Sequence, residues 1–111
     1  MNTNSNKASK LEARLEMEVE GATPQGLVDY LREQEGFQCM LARKTRWEDW
    51  FGGRHADCQY HDVLFTVNID RSLRVMRYAH MTAQIRYPEI GRKDAQKVID
   101  ILSKYDLITK S

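Results

Sequence analysis

Residues 11–20 read L-E-A-R-L-E-M-E-V-E, a strict alternation of apolar and charged side chains. Leu11, Ala13, Leu15, Met17 and Val19 fall on one side of a two-residue repeat, and Glu12, Arg14, Glu16, Glu18 and Glu20 fall on the other. Successive side chains of a β-strand point to opposite faces, so the segment predicts a strand with one face buried and one face wet. Leu, Glu, Ala, Arg and Met are good helix formers. A helix, however, would gather Leu11, Leu15 and Val19 into a stripe and leave Ala13 and Met17 on its flank. Full agreement with the two-residue repeat outweighs propensity.

The stretch G-A-T-P-Q-G that follows supplies a helix start. Thr23 is suited to the N-cap and Pro24 to the first helical position, where its missing N–H costs nothing. Leu27, Val28 and Leu31 then form the apolar stripe of a helix running to residue 35, with Gly36 ending it. A second strand is predicted over 37–44, with Phe37, Cys39 and Leu41 on one face. Residues 45–61 show no clean period and are broken by Gly52-Gly53, which predicts a long loop with one short helical turn around 47–51. Loops of that length inside compact domains are uncommon and often functional.

A third strand over 62–70 places Val63, Phe65, Val67 and Ile69 inward, and Asn68, Asp70 and Ser72 supply turn chemistry after it. Further strands are predicted over 72–79 and 81–87, closed by Pro88. Ala95, Val98, Ile99 and Leu102 then mark a C-terminal helix over 93–105, with Ile101 and Tyr105 on its edges. The expected fold is α+β: an antiparallel sheet of about five strands with two helices on one face, in the order β-α-β-loop-β-β-β-α. It forms a single domain over 10–111, preceded by a disordered polar tail over 1–9.

Bulk properties narrow the function classes. At 111 residues, with 41% hydrophobic and 30% charged side chains, the chain has the make-up of a globular domain with its own core. No apolar run approaches the ~20 residues that a membrane-spanning helix needs. The first ten residues contain no apolar stretch of the kind a secretory leader carries, so a cytoplasmic setting is expected, with Cys39 and Cys58 as free thiols. Residues 1–35 carry four basic and seven acidic side chains, whereas residues 36–111 carry thirteen and nine. The steepest excess lies over 71–93, where Arg71, Arg74, Arg77, Arg86, Arg92 and Lys93 face only Glu89. Such asymmetry attracts an acidic partner, or it is neutralised internally by the glutamates of the first strand.

Three constellations carry candidate chemistry. The first is R-H-A-D-C-Q-Y-H-D at 54–62, where His55, Cys58 and His61 stand three residues apart. With Cys39 as a fourth donor they supply the imidazole and thiolate ligands zinc prefers, so zinc is the one cofactor the sequence suggests. The usual two close ligand pairs are missing, and the bland alternative is two buried thiols beside surface histidines. The same residues include the types needed to activate a Cys58 thiolate, and Glu48 or Asp49 with a histidine those needed for general acid–base work.

The second constellation is a basic strand face. Alternation over 72–86 places Arg74, Tyr78 and Arg86 together with His80 and Gln84, and Arg46 lies in the loop before them. Arginine grips phosphate and tyrosine stacks on bases, which is how some single-stranded RNA readers use an open sheet. Cross-strand pairing with Glu12, Glu16, Glu18 and Glu20 would spend the same arginines on the fold instead. The third is Trp47, Trp50 and Phe51, which either cap one end of the core or form the centre of a protein interface. No segment carries a motif that fixes a family. The leading expectation is a small non-enzymatic module that binds a protein partner, as an adaptor, an inhibitor or a self-assembling protein. Nucleic-acid binding comes next, and a zinc-dependent role or enzyme third.

Overall fold

A computed structural model describes residues 10–71 and 77–106, without the side chains of Phe51 and Arg71. The tail expected over 1–9 lies outside the described residues. Five strands are present: β1 (Lys10–Glu20), β2 (Phe37–Leu41), β3 (Arg54–Tyr60), β4 (Val63–Arg71) and β5 (Tyr78–Pro88). They form one antiparallel sheet in the order β1-β5-β4-β3-β2. Helix α1 (Pro24–Arg32) carries the chain from one edge of the sheet to the other, α2 (Arg46–Phe51) lies between β2 and β3, and α3 (Arg92–Ser103) closes the domain.

The α+β class and, roughly, the order of strands and helices follow the sequence reading, with two corrections to the elements. The helical turn expected around 47–51 is present as α2, whereas the second half of the loop expected over 45–61 is β3. Within β3 the alternation Ala56, Cys58, Tyr60 points inward, and all three are buried. The two strands expected over 72–79 and 81–87 correspond to one, β5, whose buried row Ala79, Met81, Ala83 and Ile85 runs without a break. The expected start of that strand, 72–76, lies outside the described residues.

Register puts the apolar rows of all five strands on one face. Leu15 faces Ala83, Ala83 faces Val67, Val67 faces Ala56, and Ala56 faces Leu41. Leu27, Val28 and Leu31 of α1 and Ala95, Val98 and Leu102 of α3 bury against this face. Each fully buried leucine or valine contributes about 1.5–3 kcal/mol by leaving water. Local chemistry fixes the helices: the Thr23 hydroxyl accepts from Gly26 N–H at 3.0 Å, and Pro24 occupies the first turn. Tyr105, expected at the helix edge, is buried and stacks on Tyr30 at 5.0 Å between centroids, while the Tyr30 hydroxyl donates to the Ile101 carbonyl at 2.7 Å. Those contacts tie α1 to α3 across the helix layer.

β3 and β4 are joined by the two-residue turn His61-Asp62, and His61 takes a left-handed φ of 54°. Its ring stacks on Tyr60 at 4.1 Å, and its Nδ1 lies 3.1 Å from Asp94 of α3. The other face of the sheet carries the polar rows and has neither α1 nor α3 on it.

Candidate functional site

α2 stands at the border of the open sheet face, and its sequence explains how six residues hold a helix. Thr45 and Glu48 form a capping box: the Thr45 hydroxyl accepts from Glu48 N–H at 3.1 Å, and Glu48 Oε1 accepts from Thr45 N–H at 2.9 Å. Glu48 Oε2 then meets His55 Nδ1 at 2.9 Å, reaching the side chain that β3 turns toward the open face. Gly52 and Gly53, both at positive φ, let the chain leave the helix and enter β3 directly.

Glu48 is 9% exposed, the one charged residue that is buried among the described residues. Burial pushes its carboxyl up. The hydrogen bonds from the Thr45 amide and His55, together with the charge on the imidazole, outweigh that push and hold it below the usual glutamate range. Among the described side chains of α2, the buried one is thus an acid, and the two tryptophans are turned outward. Trp47 is 71% exposed and Trp50 78%, one helical turn apart. Neither caps the core. Phe51 ends the helix, its side chain outside the described residues. Arg43, Lys44 and Arg46 are exposed in the same stretch of chain, as is Asp49.

Beside α2 a cleft of about 300 Å³ is lined by Lys44, Gly53, Arg54, Asp70, Arg77 and Tyr78, among others. Arg54 donates to the Ala42 carbonyl at 3.0 Å. Partial burial pushes the Asp70 carboxyl up, His80 opposes that shift, and Glu48 adds to it.

The basic face proposed for nucleic acid is placed as the alternation required, with Tyr78, His80, Gln84 and Arg86 all on the open side of β5. Arg74 lies outside the described residues. β1 answers this row with acids. Arg86 Nε lies 3.2 Å from Glu12, His80 lies 3.9 Å from both Glu16 and Glu18, and Arg77 lies 3.7 Å from Glu20. The cross-strand pairing weighed as the alternative is therefore present for Arg77 and Arg86.

The four residues considered for zinc are divided. Cys39 and Cys58 face one another across β2 and β3, both buried and unoxidised, on the helix-covered face. His55 points to the opposite face and His61 out to α3. Among the described residues, no three His, Cys, Asp or Glu side chains converge as a metal site. The Cys58 thiol is pushed far above the ordinary cysteine range, first by its hydrogen bond with Cys39 and then by burial and the neighbouring charges. That is the reverse of what a thiolate nucleophile requires.

Among the described residues, no helix is long and apolar enough to cross a membrane. Comparisons with family models, with curated proteins and with solved structures find no match to this chain. The sequence singled out the tryptophans but missed the part played by Glu48. The S/T-x-x-E spacing of Thr45 and Glu48 was the available signal for both the helix and its orientation.

Proposed function

We propose that the protein is a small binding module that engages a protein partner through α2, with Trp47 and Trp50 as anchors. The observation that carries this reading is the exposure of two tryptophans, one turn apart, on a helix whose inward side is a buried, hydrogen-bonded glutamate. Large exposed aromatics on a rigid support are the residues that dominate binding energy at interface centres, because they gain contact area with little loss of side-chain freedom. Arg43, Lys44 and Arg46 set the chemistry of the partner: an apolar surface bordered by acidic side chains. Two buried thiols suit a reducing setting such as the cytoplasm.

Affinity capture from the source cells tests the proposal. A discrete protein should co-purify with the wild type, and Trp47→Ala and Trp50→Ala should each weaken its binding by about 2 kcal/mol, close to thirtyfold, while the melting temperature stays unchanged. A partner retained equally by the double variant would overturn the assignment of the site. Nucleic acid is the competing occupant, because Arg46 beside Trp47 is also suited to stacking and phosphate contact. It would declare itself by binding that falls steeply with salt, the logarithmic slope dropping by about 0.7–0.9 for each cation removed.

A further inference from the structure

We infer that two copies of this chain associate through the outer edge of β1, pairing antiparallel about Leu15 so that the sheet continues from one copy into the other. The surface is separate from α2, and the inference does not depend on the function proposed for that helix.

The argument starts with which backbone groups of β1 are spent. Gly21 donates to the Arg77 carbonyl at 3.0 Å, in the same register that pairs β1 with β5. In an antiparallel ladder the N–H and C=O of one residue point to the same side, and those of the next residue point to the other. The odd-numbered residues of β1 are therefore bonded to β5, and Lys10, Glu12, Arg14, Glu16, Glu18 and Glu20 turn their backbone groups outward. Pro88 agrees with this parity: it lacks an N–H and lies opposite Lys10, whose groups face away from it.

The two edges of the sheet are treated differently. At β2 the outward Phe37 N–H donates to the Gln34 carbonyl at 3.1 Å, and Arg32 Nε donates to the outward Cys39 carbonyl at 2.8 Å. Those bonds block further pairing there. β1 has β5 on one side and, among the described residues, no strand or capping side chain on the other. It is eleven residues long, keeps one register throughout and contains no proline, which makes it a ready template for another strand.

The sequence of β1 is complementary to itself. With two copies antiparallel about Leu15, Lys10 stands opposite the partner's Glu20 and Arg14 opposite the partner's Glu16, each pair occurring twice by symmetry. Glu12 meets the partner's Glu18, but Arg86 lies 3.2 Å from Glu12 within each copy and offsets part of that repulsion. Sliding the copies by one allowed step sets Arg14 against the partner's Arg14, or Glu16 against the partner's Glu16. Larger slides leave part of each strand unpaired. On the other face Leu15 meets the partner's Leu15, Ala13 the partner's Met17 and Leu11 the partner's Val19. Leu11, Ala13, Leu15 and Met17 are only half-buried in one copy, so pairing covers apolar surface that the helices leave open.

Sedimentation analysis of the full chain across the micromolar range, with charge-reversal variants, tests the inference. The wild type should be a dimer, and Arg14→Glu and Glu16→Arg should each raise the dissociation constant by about tenfold, because two attractive pairs become repulsive. The double variant Arg14→Glu/Glu16→Arg should restore wild-type affinity. Amide exchange gives an independent readout: Glu12, Arg14, Glu16 and Glu18 should be protected in the dimer and exchange rapidly when it is diluted, while Leu15 and Met17 stay protected in both. Leu15→Cys should cross-link its own copy on oxidation, since non-hydrogen-bonded cross-strand partners sit about 4.5 Å apart between Cα atoms, within disulfide range. A monomer at every concentration would overturn the inference. So would a dimer indifferent to both charge reversals, or one lost in Trp50→Ala.

Discussion

Glu48 Oε2 lies 2.9 Å from His55 Nδ1, and this one contact orients a helix too short to persist by itself. Glu48 is the buried residue among the described side chains of α2, and Trp47 and Trp50 are turned outward. Fold and candidate site therefore meet at a single hydrogen bond.

Removing the acid should release the helix. Glu48→Ala leaves the His55 ring without its partner and removes half of the capping box, at an expected cost of about 1–3 kcal/mol. Denaturant midpoints measure that loss. Trp50→Ala, on the exposed side of the same helix, should change stability by less than about 0.5 kcal/mol.

The same carboxylate predicts an acid limb in the stability curve. Its pKa is lower in the folded chain than in the unfolded one, so folding favours the ionised form. Its contribution is complete above the ordinary glutamate range and disappears as pH falls through that range to the lowered value. Thermal melts in an acid series should show Glu48→Gln losing less stability over that interval than the wild type loses.

Gly53 should not accept a side chain. It has a φ of 97°, and a Cβ there would collide with the Asp70 carboxylate beside the Ile69 carbonyl. Gly53→Ala should cost more than 1 kcal/mol, roughly, whereas Gly52→Ala, which meets no neighbour, should cost only its backbone strain.

Cys39 and Cys58 should resist alkylation at mildly alkaline pH for as long as the chain is folded. Their burial, and the upward shift of Cys58, keep the reactive thiolate scarce. Labelling followed by mass measurement should show neither thiol modified in buffer and both modified in denaturant.

β1 was legible because its apolar residues alternate with charged ones over its whole length, a pattern only a half-buried strand explains. β3 was not, because its inward residues are Ala56, Cys58 and Tyr60, which are small or amphiphilic and give weak contrast beside His55, Asp57 and Gln59. β5 reads as two segments in the sequence because the polar His80 stands between them, although Ala79 and Met81 continue one buried row. The tryptophans were recognised as candidates, but whether they pointed in or out depended on a glutamate and a histidine seven residues apart. Alternation within strands does not report such a pairing. The proposed zinc ligands failed to converge for the same reason: once 54–60 is extended, His55 and Cys58 have opposite parity and must face apart.

The pairing of β1 with β5 also orders events during synthesis. Lys10–Glu20 leaves the ribosome long before its partner Tyr78–Pro88, and α1 must first carry the chain across to the far edge. The sheet then grows back strand by strand from β2 until β5 arrives beside β1. Contacts this distant in sequence slow folding. Meanwhile the first strand waits with both its edges unpaired, in a state prone to join a neighbouring chain. The glutamates that later meet Arg77, His80 and Arg86 hold that waiting strand at a net negative charge, so copies out of register repel one another until the sheet is complete.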